Sequence, residues 1–124
     1  MLKSFRFGMF VLAIASTAPV AATEPVALEV SPAVSFAPAE VRIRIRVEPN
    51  ATNRAMTVVA DSDSFYRSST IQLEGDHSPL TTQLQFRGLP RGEYDITATV
   101  IGINGKTTGV AHRRVNIVDV EPLQ

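Results

Sequence analysis

The sequence predicts an all-β protein, an antiparallel seven-stranded sandwich preceded by a signal peptide, and three observations favour this fold class. Valine and isoleucine alternate with arginine and glutamate over residues 41–48, which is the period of a strand with one buried face. Eight prolines and seven glycines are scattered singly, as expected for many short elements joined by turns. Beyond residue 22, apolar residues nowhere recur at helical spacing over eleven or more positions.

The first 22 residues differ from the rest and have the layout of a secretory signal peptide. Lys3 and Arg6 precede an apolar stretch, residues 7–15, which is followed by small residues up to Ala22. We expect cleavage after Ala22, because small residues suit the signal peptidase. The apolar stretch is far shorter than the ~20 residues that span a bilayer. We therefore expect a soluble periplasmic or secreted product with no stable membrane insertion after cleavage.

Composition excludes several functional classes for the remaining residues, 23–124, which we expect to form one domain. Cleavage removes Lys3 and Arg6, so ten basic residues face twelve acidic ones and the net charge is −2. This balance gives no general attraction to nucleic acid or to an anionic bilayer. The chain has no cysteine, so it has no thiol nucleophile, thiolate metal site or disulfide, and a packed core must stabilise it.

Turn-forming residues divide the domain into its strands. The first strand ends before Pro32, and the second ends at Pro49-Asn50. The third is an apolar run of strand-forming residues stopped by the turn formers of residues 61–64. The sixth ends at the turn signal Asn104-Gly105. The seven predicted strands, with their closing turns, are 26–30, 41–48, 55–60, 65–75, 79–86, 92–105 and about 107–118.

Residues 84–105 carry a family signal. They include the segment Leu89-Pro90-Arg91-Gly92-Glu93-Tyr94, and this stretch resembles the sixth-strand region of fibronectin type III and related bacterial immunoglobulin-like domains. The resemblance implies an immunoglobulin-like or fibronectin-like sandwich. It also implies structural roles for Leu89, Pro90, Gly92 and Tyr94, with the tyrosine hydroxyl bonded to the backbone at the corner. The chain lacks the tryptophan usual in fibronectin-type cores and the cysteine pair of antibody-type domains.

Arg42, Arg44 and Arg46 alternate along the second strand, so they share one face at intervals of about 6 to 7 Å. One interpretation is a solvated row that acids on neighbouring strands neutralise. The acids available for this are Glu74, Asp76, Glu93 and Asp95. The other interpretation is a docking surface for a partner that bears carboxylates or phosphates, because the guanidinium group binds both.

The remaining candidate sites are weaker. The acidic segments 61–64 and 74–77 would begin a calcium site if the fold brought them together, although as turns they need no metal. His77 and His112 have no partners at the spacing of zinc ligands. No Gly-x-Ser-x-Gly segment frames a nucleophile. The sequence therefore predicts no metal, no cofactor and no enzymatic activity.

Phe65 and Tyr66 are adjacent, so on a strand one faces the core and the other faces water. Tyr66 with Arg67 is a second candidate anchor, because interfaces favour both residue types. We expect an exported binding module for a protein partner in the bacterial cell envelope. Its first candidate surface is the face with Arg42, Arg44 and Arg46. The alternative is a carbohydrate- or calcium-dependent adhesion module.

Overall fold

The computed structural model describes residues 25–119, and it confirms the all-β class. The predicted signal peptide, residues 1–22, lies outside the described residues. Within them, no helix is long and apolar enough to cross a membrane. The strands are β1 (Val26–Ser31), β2 (Val34–Phe36), β3 (Ala39–Val47), β4 (Asn53–Asp61), β5 (Tyr66–Gln72), β6 (Thr81–Leu89), β7 (Gly92–Gly102) and β8 (Thr107–Val118). Two short 3₁₀ turns span Gly75–His77 and Ile103–Gly105.

The strands form two sheets, of which one has the order β1-β3-β6 and the other the order β2-β8-β7-β4-β5. The prediction of a purely antiparallel sandwich is wrong, because β2 pairs with β8 in parallel. The described residues hold eight strands where seven were predicted, and β2 is the additional one. It is three residues long and lies between Pro32 and Pro38, so it is too short to show an alternating pattern. The peptide bonds that join these two prolines to the residues before them, Ser31-Pro32 and Ala37-Pro38, are cis.

The core lies between the two sheets, and β3 shows how the sequence pattern produces it. Val41, Ile43 and Ile45 are at most 1% exposed, whereas Arg42 and Arg44 between them are exposed. This alternation follows from the two-residue period of a strand. β7 contributes a second buried row, and the members of that row are Tyr94, Ile96, Ala98 and Val100.

The chain turns between the two sheets at the corner that joins β6 to β7. Leu89 and Tyr94 are fully buried there, and the Tyr94 hydroxyl donates a hydrogen bond to the Pro90 carbonyl oxygen at 2.7 Å. A β-carbon on Gly92 would lie 3.3 Å from the Ser62 side chain, so the corner needs a small residue at this position. Burial raises the pKa of the Tyr94 hydroxyl above its ordinary value.

Candidate functional site

Arg42, Arg44 and Arg46 project from β3, which is the central strand of the three-stranded sheet. All three side chains are exposed, because the residues between them fill the core. We call the outer surface of this sheet the arginine face. Since β3 has a strand on each side, the row runs along the middle of the sheet, and only side chains are available there to a partner.

Two of the three arginines have acidic neighbours, but these are not the acids expected from the sequence. Arg44 Nη1 lies 3.7 Å from Glu29 Oε1 on β1, which the strand register places directly opposite. Arg46 Nη1 lies 2.8 Å from Glu48 Oε2, just beyond the end of β3. The row is thus partly neutralised by neighbours, but among the described residues none of the four acids named as available, Glu74, Asp76, Glu93 and Asp95, pairs with it. Glu93 and Asp95 instead pair with Arg114 on the five-stranded sheet.

Arg42 differs from the other two arginines. Among the described residues no carboxylate lies within ion-pair distance of its guanidinium group, and its neighbours across the strands are Ser31 and Gln85. Beside it, Arg87 Nε lies 3.9 Å from Glu40 Oε2, and Arg87 Nη2 donates to Gln85 Oε1 at 3.1 Å. A shallow depression of about 690 Å³ is lined by Arg42, Gln83, Leu84, Gln85 and Arg87.

The polar residues that line this depression are hydrogen-bond donors suited to an anionic group. Arg42 and Arg87 supply guanidinium groups with donors in a fixed fork, and Gln83 and Gln85 supply amides. These groups can donate hydrogen bonds to carboxylate or phosphate oxygens. Because the arginine face is open to water, the donors lose little hydration when they do so. The lining residues could therefore bind and orient an anionic group, and none of them is a nucleophile.

Tyr66 and Arg67 do not form one surface. Tyr66 is 63% exposed on the outer side of the five-stranded sheet. The Arg67 side chain points the other way, where its Nη1 donates to the Arg87 carbonyl oxygen on β6. Its guanidinium carbon lies 5.3 Å from the centre of the Phe65 ring. Arg67 therefore bridges the two sheets, and this role follows from the rule that adjacent strand residues face opposite sides.

The two acidic segments lie at opposite ends of β5. Asp61 to Ser64 comprise the last residue of β4 and the turn that precedes β5, and Glu74 to His77 follow β5. Seven residues of strand separate them by about 23 Å. The fold therefore does not bring them together into the shared calcium site considered from the sequence. Within residues 25–119, no group of three or more His, Cys, Asp or Glu side chains could hold a metal ion.

The first acidic segment has different neighbours. The strand register aligns Tyr66, Asp61, Asp95 and Arg114 across β5, β4, β7 and β8. Arg114 Nε lies 3.1 Å from Asp95 Oδ1, and its Nη1 lies 3.3 Å from Glu93 Oε1. The outer surface at this end of the five-stranded sheet is therefore acidic, and its Arg114 is engaged by two carboxylates.

The two histidines lie far apart in the topology. His77 lies in the turn between β5 and β6, with its Nε2 3.7 Å from Asp76 Oδ1. His112 projects from β8, where its Nδ1 lies 3.2 Å from Thr97 Oγ1. Each has one polar neighbour of its own, and neither belongs to the arginine face.

Comparisons with known proteins identify likenesses of fold. No family model matches the sequence, and the comparison with curated proteins finds no match. The superoxide reductase (neelaredoxin) of Ignicoccus hospitalis matches with a TM-score of 0.61 and 12% identity, covering 76% of this chain and 80% of that chain. A family 76 glycoside hydrolase from a bovine Bacteroides thetaiotaomicron strain matches with a TM-score of 0.54 and 17% identity. That match covers 77% of this chain and 21% of the hydrolase.

The likeness to superoxide reductase corrects one expectation. The lack of a catalytic motif predicted that the chain is not an enzyme, and a match of this quality to an enzyme contradicts that prediction. The physical reason is that a fold assembles catalytic groups in space from distant segments, so a missing local motif does not exclude a site. At 12% identity the likeness shows the fold alone, so it assigns no activity to this chain.

Proposed function

We propose that this chain is an exported binding module with an immunoglobulin-like or fibronectin-like sandwich fold. Its arginine face would dock a carboxylate-bearing surface of a protein in the bacterial cell envelope. Export follows from the signal peptide predicted over residues 1–22. The corner at Leu89 to Tyr94 supports an immunoglobulin-like or fibronectin-like fold, because the tyrosine hydroxyl bonds to the backbone at Pro90 as in those families.

The observation that carries the proposal is the position of Arg42. Its exposed guanidinium group lies on an open sheet face without a carboxylate partner among the described residues. The ion pairs of Arg44 and Arg87 beside it are long, at 3.7 Å to Glu29 and 3.9 Å to Glu40. Exposed pairs of this kind contribute about 0 to 1 kcal/mol, so a partner carboxylate can replace them at little cost.

The spacing of the row also favours a protein partner. The three guanidinium groups repeat at about 6 to 7 Å because they alternate along one strand. A partner segment in extended conformation presents alternate side chains at the same interval. An extended acidic segment lying along β3 would therefore meet Arg42, Arg44 and Arg46 in register, and each guanidinium group would bind one carboxylate.

The test is an affinity capture from envelope extract with three forms of the chain. The first is the natural chain, and the second carries the changes Arg42→Ser, Arg44→Ser and Arg46→Ser. The third carries Arg91→Ser, Lys106→Ser and Arg113→Ser, which lower the net charge equally but lie outside the arginine face. Circular-dichroism melts check that all three are folded.

We expect the natural chain and the third form to capture the same partner and the second form to lose it. The captured protein should carry an acidic extended segment whose deletion abolishes the interaction. If the second form captures the partner as well as the third does, the arginine face is not the docking surface and the proposal fails.

A further inference from the structure

β5 is the last strand of the five-stranded sheet, and half of its backbone groups have no partner among the described residues. Two hydrogen bonds bracket the pairing with β4. Ser62 N–H donates to the Phe65 carbonyl at 2.9 Å, and Leu73 N–H donates to the Arg54 carbonyl at 2.9 Å. Antiparallel pairing alternates, so the odd-numbered residues of β5 bond to β4. The residues whose N–H and C=O groups point away from the sheet are Tyr66, Ser68, Thr70 and Gln72.

The edge strands of the two described sheets are β1 and β6 in one and β2 and β5 in the other, and they differ in how they are protected against pairing. Natural sheets protect edges with proline, charge, bulges or very short strands. β2 is three residues long and lies between Pro32 and Pro38. β1 lies against β8, where a β-carbon on Gly109 would be 2.6 Å from Val26. On β6 the Arg87 carbonyl accepts a hydrogen bond from Arg67, and the pairing with β3 is irregular near Val41.

Of the edge-protecting features β5 has only one, the inward-pointing charge of Arg67. Its seven residues contain no proline, and its pairing with β4 has no irregularity. Its single charge, Arg67, is turned toward β6. The side chains on its exposed side are uncharged, and Tyr66 among them is 63% exposed. An edge of this length, regularly paired and with uncharged side chains on its exposed side, is a template for another strand.

We infer that β5 pairs antiparallel with β5 of a second copy of this chain, about a two-fold axis that passes midway between the two Ser69 residues. This register joins the free groups of one copy to those of the other, because it sets Tyr66 opposite Gln72 and Ser68 opposite Thr70. Each hydrogen-bonded pair exchanges two bonds, so the four pairs provide about eight. Charges are compatible, because Arg67 lies opposite Ile71 of the partner copy and not opposite another arginine.

The second copy also explains the exposed side chains. Tyr66 of one copy would pack beside Gln72 of the other, which covers its ring. On the inner side, the half-buried Ile71 would gain the aliphatic part of Arg67 as a neighbour. The two-fold arrangement closes on itself, so it yields a dimer and no fibre. The arginine face lies on the other sheet and remains free, so this inference does not depend on the proposed function.

The absence of cysteine from the chain permits a direct test with Ser69→Cys. In the dimer, residue 69 faces itself in a pair without hydrogen bonds, where the two Cα atoms are about 4.5 Å apart. This distance lies in the range that a disulfide bridges. The matched control is Gln72→Cys on the same strand. Its two thiols would be about 20 Å apart, because six residues of strand separate them.

We expect Ser69→Cys to form a covalent dimer under mild oxidation and Gln72→Cys to remain monomeric, as seen by non-reducing electrophoresis. The natural chain should show a concentration-dependent dimer in sedimentation equilibrium. Thr70→Pro removes a free N–H without breaking a bond to β4 and should weaken this association about tenfold or more. If the Thr70→Pro variant does not fold, the variant Thr70→Lys is used in its place. A monomeric natural chain, or equal cross-linking of the two cysteine variants, would overturn the inference.

Discussion

At the scale of single residues, Tyr94 is the side chain whose role the structure defines most sharply. It is fully buried, and its hydroxyl satisfies the Pro90 carbonyl at the corner between the sheets. We expect Tyr94→Phe to lower the free energy of unfolding by about 1 kcal/mol, because the ring still fills the core while one hydrogen bond is lost. Tyr66→Phe, at a 63% exposed position, should change it by less than about 0.5 kcal/mol. Urea unfolding of the two variants measures both values.

Tyr94 should also give the stability an alkaline limit. Burial raises the pKa of its hydroxyl in the folded chain, whereas in the unfolded chain it ionises near pH 10. Between these two pKa values the folded state holds more protons, so its stability falls as pH rises through that range. Below the unfolded pKa this contribution is constant. The alkaline loss should disappear in Tyr94→Phe and persist in Tyr66→Phe, and an equal loss in both variants would contradict the assignment to Tyr94.

At the scale of elements, the sequence predicts features that depend only on neighbouring residues in the chain, such as which side chains of a strand are buried. The alternation along β3 places Val41, Ile43 and Ile45 in the core and the arginines outside, because a two-residue period needs no knowledge of neighbours. β2 was missed because its three residues form a strand only through their pairing with β8. The acid beside Arg44 was missed for the same reason, since Glu29 comes opposite it through the register of β1 with β3.

The direction in which Arg67 points follows from the local strand period, whereas its contacts depend on the fold. These contacts support a prediction for β5. Its guanidinium group ties β5 to the Arg87 carbonyl on β6 and lies over the Phe65 ring. Replacement by methionine keeps the aliphatic stem and removes the donors. We expect amides of β5 to exchange with deuterium several-fold faster in Arg67→Met, because about 1 kcal/mol of local stability is lost. Amides of β3 should be unchanged. Equal acceleration in both strands would indicate global destabilisation and contradict a local tie.

At the scale of the whole molecule, charge is balanced in number but separated in space. The chain carries twelve basic and twelve acidic side chains. On the arginine face, Arg42, Arg44, Arg46 and Arg87 outnumber Glu29, Glu40 and Glu48. At the far end of the other sheet, Asp61, Asp63, Glu93 and Asp95 outnumber Arg114. A balanced sum therefore conceals two surfaces of opposite sign, and a partner responds to the nearer surface because salt screens the farther one.

This separation predicts how association with an acidic probe depends on salt. A poly-glutamate matrix should retain the natural chain at low ionic strength despite the absence of net positive charge, and rising salt should release it. The triple change at Arg42, Arg44 and Arg46 should abolish most of this retention. The triple change at Arg91, Lys106 and Arg113 alters the net charge by the same amount but leaves the arginine face intact, so it should preserve most of the retention. If the two triple variants elute together, net charge governs binding and the arginine face has no special part in it.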